Sequence, residues 1–282
     1  MKTRVLSLVL AAALTAVLAG CGGSPASSAP VASSTPEAAA PVKVKVGVVG
    51  ENNEQWVPVI ESLKAEGIEL ELVRFADYSL PNQALADKEI DLNSFQHYAF
   101  LENQIKDRGY KLSVIGETII APLGVYSKKH TSVDQLKEGA SIAIPSDATN
   151  GGRALKVLES AGLIQVDPAA GFVPTLSNIT KNPLNIKFYE VEAAQTYSLM
   201  ADVDLAVING GHARDNGLSP AKDAVYLEKV IEGQNNPYIN VIAARTEDQD
   251  NELYQKVVKA YRSDAVAKII AEKYNGAYII TW

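Results

Sequence analysis

Cysteine is almost absent from this chain: Cys21 is the only one in 282 residues. A single thiol cannot close an internal disulfide or assemble a cysteine-based metal site. Histidine is scarce as well. His97, His130 and His212 stand far apart, and none has a neighbour at the spacing a metal site needs. Positive charge is never concentrated. The 26 Lys and Arg face 33 Asp and Glu, for a formal net charge of −7, with no Lys/Arg-rich run. Phosphate backbones are bound by clustered cations, so this distribution argues against a nucleic-acid partner. The patterns G-x-S-x-G, H-E-x-x-H and G-x-x-x-x-G-K-[ST] do not occur. Nothing argues for catalysis, and no cofactor, metal or catalytic residue is expected.

Long apolar runs are also lacking, with one exception at the N-terminus. Lys2 and Arg4 precede "VLSLVLAAALTAVL", a stretch too short to span a membrane comfortably, and it ends in small residues. This is the pattern of a secretory signal over residues 1–20. It closes in "LAGC", which resembles the bacterial lipobox and implies cleavage before Cys21 with lipidation of its thiol. Acyl chains on Cys21 anchor a protein to a membrane surface without a spanning helix. Loss of Lys2 and Arg4 leaves 24 basic against 33 acidic residues, a net −9 for the mature chain. "GGSPASSAPVASSTPEAAAP" follows, poor in charge and in large apolar residues, and reads as a tether over 21–41.

From Val42 the apolar pattern alternates between strand and helix periods. "VKVKVGVVG" and "IELELVRF" read as strands, with the helix "WVPVIESLKAEG" between them. A short helix "LPNQALADKE", a strand "IDLNSF" and a helix "QHYAFLENQIKDRG" follow. The same order then returns with "ASIAIP", "TNGGRALKVLESAGLI", "LNIKFYEV", "AAQTYSLMAD" and "VDLAVING". Phe75 precedes Asp91 by as many residues as Phe188 precedes Asp204. The expected class is therefore α/β with two similar lobes. Lobe one takes 42–121 and 244–282, and lobe two takes 122–243. "ETIIAPLGVYSKK" leaves the first lobe, "NPYINVIAAR" returns, and the C-terminal helices pack back on lobe one. Two crossings make a hinge, with an interlobe cleft at the carboxyl ends of the strands, where open α/β sheets bind ligands.

Candidate binding residues cluster at those strand ends. In "SIAIPSDATNGGRAL", Thr149 or Asn150 can cap a helix whose free amides face the cleft, and Gly151 and Gly152 let a ligand approach the backbone. Arg153 adds a planar fork suited to a carboxylate. The alternative is a surface arginine on an ordinary helix, with glycines for tight packing. "LNSFQHYAFL" brings Asn93, Phe95 and His97 toward the cleft from the other lobe. The competing roles are core for Phe95 and helix cap for His97. Tyr78, Asn209 and Asn240 sit at other strand ends or on a crossing, where structural hydrogen bonding is the competing role.

"NSFQHYAFL", "APLGVYSKK", "IPSDATNGGRAL", "DVDLAVINGGHA", "SPAKDAVYLE" and "PYINVIAAR" occur in the order found in the NlpA/MetQ-type lipoproteins, which the chain resembles from about Val42 to Trp282. These are methionine-binding components of bacterial ABC importers. The resemblance implies a two-lobed type II periplasmic-binding-protein fold, a lipid-anchored extracytoplasmic location, and delivery of a methionine-like amino acid to a permease and ATPase complex. It also implies that Arg153 meets the ligand carboxylate and that Asn209 and Asn240 hold the backbone-like end. Tyr78, Phe95 and His97 then lie against the thioether, with Tyr126 a weaker candidate. Two stretches depart from the family pattern: Ser146-Asp147 after "IP", and Gly210, Gly211 and His212 after "VIN". Another small apolar amino acid, the D-isomer or a methionine-containing dipeptide are alternative ligands. A surface adhesin or scaffold lipoprotein is the alternative from a different class.

Overall fold

The computed structural model describes residues 41–230, 236–274 and 276–282. The signal segment, Cys21 and the tether up to residue 40 lie outside the described residues. In chain order the elements are β1 (Val42–Val49), α1 (Val57–Ala65), β2 (Ile68–Phe75), α2 (Pro81–Ala86), β3 (Leu92–Asn93), α3 (Tyr98–Arg108) and β4 (Leu112–Ile120). Then come β5 (Gly124–Tyr126), β6 (Ser141–Pro145), α4 (Ala148–Ser160), a small ribbon of β7 (Gln165–Val166) and β8 (Ile179–Lys181), β9 (Lys187–Val191), α5 (Thr196–Leu199), β10 (Leu205–Ile208), α6 (Gly210–Asp215), α7 (Pro220–Asp223) and β11 (Tyr226–Leu227). The chain closes with β12 (Ile239–Arg245), α8 (Glu252–Tyr261), α9 (Asp264–Tyr274) and β13 (Ile279–Ile280).

Two main sheets result. The first has the order β13-β4-β12-β3-β1-β2, the second β11-β5-β10-β6-β9. Each contains a parallel trio, β3-β1-β2 in one and β10-β6-β9 in the other, flanked by an antiparallel strand. The matched order expected from the sequence is therefore present in the strand pairing. The spacing from Phe75 to Asp91 and from Phe188 to Asp204 has a physical meaning. Asp91 bonds Lys45 through its backbone N–H and accepts the Lys45 N–H on its carboxylate. Asp204 does the same to Ser141. Each aspartate extends the ladder one residue ahead of the first pair that the central strand makes, with β3 in one sheet and with β10 in the other, where a partner would otherwise be missing.

Both sheets are covered on both faces, which explains why their strands turn apolar throughout. Val44, Val46 and Val48 of β1 pack with Trp56, Leu63, Val257, Tyr261 and Ile270, from the α1 side and from α8 and α9. The opposite face meets Ala84 and Leu85 of α2 and Leu101 of α3. In the second sheet the two-residue period divides β6 and β10 cleanly. Ile142, Ile144, Leu205 and Val207 face Leu155 and Leu158 of α4, whereas Ala143, Ala206 and Ile208 face Met200 and Ala213.

The return crossing differs from expectation. Residues 239–243, assigned above to the second lobe, belong to β12, which pairs antiparallel with β4 and β3 in the first sheet. The crossing therefore precedes Ile239. The hydrophobic pattern of "YINVIAAR" marks a strand but not the sheet that receives it. No helix among the described residues is long and apolar enough to cross a membrane.

Candidate functional site

Chain segments leaving the carboxyl ends of both parallel trios converge on one cavity. From the first lobe come Asn53 after β1, Tyr78 after β2, and Phe95 and His97 after β3; from the second come Asn150 and Arg153 on α4 and Asn209 to His212 after β10. Asn240 of β12 completes the wall. All six residues singled out as ligand contacts, Arg153, Asn209, Asn240, Phe95, His97 and Tyr78, line this space. Asn93 does not. It is fully buried in an amide cluster with Asn82 and Gln96 that supports the 94–97 turn from behind. Tyr126 also lies elsewhere, its ring packed into the core of the second lobe and over Gly124, where a Cβ would approach within 2.4 Å of the ring.

The start of α4 is organised differently from the expected amide socket. Its N-cap is Asp147, whose Oδ1 accepts from the Asn150 N–H at 2.9 Å, rather than Thr149 or Asn150. The Gly151 N–H is taken by the Asp147 carbonyl. The two glycines serve packing. A Cβ on Gly151 would come within 2.7 Å of the Pro145 carbonyl oxygen, and one on Gly152 within 2.8 Å of the Val173 Cα. Ser146, the first departure from the family pattern, is exposed and lies outside the cavity wall, whereas His212, in the second, forms part of that wall.

Arg153 is 2% exposed, yet its fork does not lie open to a ligand. Nε donates to Glu228 Oε1 at 2.8 Å, and Nη2 donates to Glu228 Oε2 at 2.6 Å and to the Ala121 carbonyl at 3.1 Å. The guanidinium stacks on the Tyr238 ring at 4.2 Å. Three of the five N–H donors of an arginine are thus engaged, and among the described residues Nη1 has no hydrogen-bond partner. Glu228 also accepts the Leu123 N–H, which ties the arginine to the first crossing.

The amides around it are oriented by a single carboxylate. Asp147 can only accept, so Asn150 must turn Nδ2 toward it, at 3.0 and 3.1 Å. That turns Asn150 Oδ1 the other way, where it accepts from Asn209 Nδ2 at 2.7 Å and from His97 Nε2 at 3.3 Å. Asn209 is left with its Oδ1 buried and without a partner among the described residues. His97 caps α3: its Nδ1 accepts the Phe100 N–H, so the ring proton resides on Nε2 and is donated to Asn150. Both competing roles for His97, cap and cavity wall, are therefore filled by one side chain.

Away from these polar groups the wall is aromatic. Tyr78, Phe95 and Phe100 form a triangle with ring centres 5.9 to 6.0 Å apart, and His212 lies against Tyr78 at 4.8 Å, its ring tilted by 37°. His97 lies edge-on to Tyr238 at 5.5 Å. Phe100, Tyr238 and Glu228 were not among the expected site residues, and Asn150 was expected only as a helix cap. "SPAKDAVYLE" and "YAFL" contain two of them, and only their meeting with Arg153 and Tyr78 in space reveals their place.

Burial, and next the Arg153 charge, push the His97 imidazole down to about 3, and burial lowers His212 as well. The unfolded chain takes up these protons near the ordinary value of about 6.5. For His97 the folded chain resists protonation until about pH 3. Acid therefore favours unfolding across that window through His97, and His212 acts in the same direction. Denaturant titrations at pH 7.5 and 5 should show this loss, and His97→Asn should flatten the slope while leaving the His212 part.

A family model described as NlpA lipoprotein matches residues 44–282. The chain is 39% identical to the D-methionine-binding lipoprotein MetQ of Yersinia pestis over 286 aligned residues, covering 100% of this chain and 99% of that protein. A crystal structure of the methionine-binding protein MetQ is 40% identical, with a TM-score of 0.81 over 85% of this chain and 98% of that one. A nutrient-binding protein from Burkholderia cenocepacia, solved bound to methionine, gives the same identity and TM-score over 85% and 100%.

Proposed function

The chain belongs to the NlpA lipoprotein family, and on that premise we propose that it is an extracytoplasmic solute-binding lipoprotein that captures methionine for an ABC importer. The observation that carries this reading is the polarity left over at one end of the cavity. Among the described residues, Arg153 Nη1 offers N–H donors without a partner, and Asn209 Oδ1 offers an acceptor without one. A carboxylate and an ammonium on one carbon satisfy both, and a buried polar atom left unpaired costs about 1–3 kcal/mol. Asn240 lies beside this end. Tyr78, Phe95 and His97, with Phe100 and His212, receive an unbranched apolar side chain. Sulfur near aromatic edges adds about 0.3–1.5 kcal/mol.

The ligand touches both lobes, so it can shift the balance between open and closed forms. Periplasmic binding proteins as a class close around their ligands by hinge motion of this kind. Lobe one comprises the first sheet with α1–α3, α8 and α9, and lobe two the intervening residues up to the return crossing. Lipidation at Cys21 holds the protein on the membrane, where it meets the permease and ATPase. It binds its ligand without turning it over.

Relatives carry D-methionine in their names, so both isomers belong in the test. The protein is unfolded and refolded to strip bound ligand, then titrated calorimetrically with L-methionine, D-methionine and leucine. Methionine of at least one hand is expected to bind, with leucine weaker by a factor of about 10 to 200, the range an apolar pocket achieves between near-isosteres. Absence of heat with both isomers refutes the reading, as does release of a ligand other than an amino acid on denaturation, seen by mass spectrometry.

A further inference from the structure

Helix α6 begins at a proposed ligand residue and ends on the opposite lobe. Asn209 is its N-cap, and Arg214 and Asp215 close it. Arg214 reaches across to lobe one. Nη1 donates to the Lys273 carbonyl at 2.6 Å, Nη2 donates to Glu54 Oε1 at 3.0 Å, and the guanidinium lies 3.9 Å from the centre of the Tyr274 ring. The Tyr274 hydroxyl lies within hydrogen-bond reach of Gln55 Oε1, Glu54 Oε2 and the Asn52 carbonyl, all in lobe one. Asp215 accepts from both the backbone N–H and the side-chain amide of Asn52. Gly50 is required beside it, because its φ is +80° and a Cβ there would fall 1.9 Å from Asp215 Oδ2. Neither Arg214 nor Glu54 lines the ligand cavity.

We propose that Arg214 and Glu54 form a closure latch, a pair of affinity-determining residues that hold the two lobes together without touching the ligand. Only interactions that differ between two states shift the equilibrium between them. The contacts of Arg214 and Asp215 join lobe two to the turn after β1 and to α9, both in lobe one, so they exist only when the cleft is shut. The position suits the task. At the N-terminal end of α6, a Cβ on Gly210 would lie 3.1 Å from the Pro122 carbonyl oxygen, so this end rests on the first crossing. Arg214 lies four residues further along, roughly 6 Å farther from that pivot at the helical rise, where a hinge rotation produces the larger displacement. The latch is also incomplete. Arg214 Nε is buried without a partner among the described residues, a cost present only in the closed form. Such a latch favours closure without forcing it on the empty protein, and leaves the ligand to complete it.

The proposal rests on the amino-acid-binding reading, and its test separates the two. The full-length protein and the variants Arg214→Ala, Glu54→Gln and the double variant are compared for methionine affinity, dissociation rate and methionine-to-leucine ratio. Hydrogen exchange over residues 50–56 is followed in the same proteins, with and without methionine. Each single variant should raise Kd about three- to thirtyfold, through faster dissociation. The double variant should be no worse than the worse single one, and the ligand ratio should not move. Exchange at 50–56 should quicken in each variant. A Kd within twofold of the parent, additive losses or an altered ligand ratio overturns the latch. If the parent itself binds no methionine, the ligand reading fails, and the latch is judged by exchange in the ligand-free proteins. Faster exchange at 50–56 in Glu54→Gln supports it, and unchanged exchange refutes it. Glu54→Gln also decides the matter if Arg214→Ala fails to fold.

Discussion

Arg153→Ala is expected to raise the Kd for methionine by about two to three decades and to destabilise the empty protein as well. The second effect follows from Glu228. Its carboxylate is 10% exposed and accepts two bonds from Arg153 and one from the Leu123 N–H. Removing the arginine leaves a buried anion with, among the described residues, only the Leu123 N–H as partner, and breaking a buried ion pair from one side costs about 3–5 kcal/mol. Arg153→Lys should recover part of the stability and little of the affinity. An ammonium can satisfy Glu228, but it has no planar fork with which to present a second nitrogen to the ligand. Calorimetry and denaturant unfolding on the same samples separate the two losses. Glu228→Gln completes the comparison: it should lower stability and perturb binding less than Arg153→Ala, since Nη1 remains.

Asn150→Ala should produce the next largest loss. Asn150 touches Asp147 through Nδ2 and both Asn209 and His97 through Oδ1. Truncation strands the Asn209 amide and the His97 Nε2–H inside a closed cleft, at about 1–3 kcal/mol for each unpaired group. The Asn209 amide is then free to rotate, so its acceptor is no longer directed at the ligand ammonium. A tenfold to thousandfold rise in Kd is expected, larger than for Phe95→Ala, where neighbouring rings can close over the gap. Unchanged affinity in Asn150→Ala would show that the ammonium is held elsewhere.

The features readable in the sequence are those set by local pattern. Strand and helix periods order the elements, because an alternating run such as "VKVKVGVV" and a Gly-terminated helix such as "WVPVIESLKAEG" each carry their own signal. The rule that ligands gather at strand ends then brings Tyr78, Phe95, His97, Arg153 and Asn209 to one place. Partners distant in sequence were not readable. Arg153 and Glu228 are 75 residues apart, and Asn209 and Asn150 are 59 apart. No local feature of "AVYLEKV" marks its glutamate as the mate of an arginine on α4. The glycines of α4 carry a further lesson. A glycine removes a side chain wherever any neighbour comes close, and at Gly151 and Gly152 that neighbour is the protein's own backbone. Whether a glycine admits a ligand or another segment is decided by tertiary packing, and so is the sheet that β12 joins.

A crystal structure of the refolded protein with methionine tests the central claim most directly. The expected result is a ligand carboxylate within hydrogen-bond distance of Arg153 Nη1, with Glu228 still on Nε and Nη2, the ammonium on Asn209 Oδ1, and the thioether among Tyr78, Phe95 and Phe100. A ligand lying the other way round, or an Arg153 that abandons Glu228 to take the carboxylate with Nε and Nη2, would contradict it.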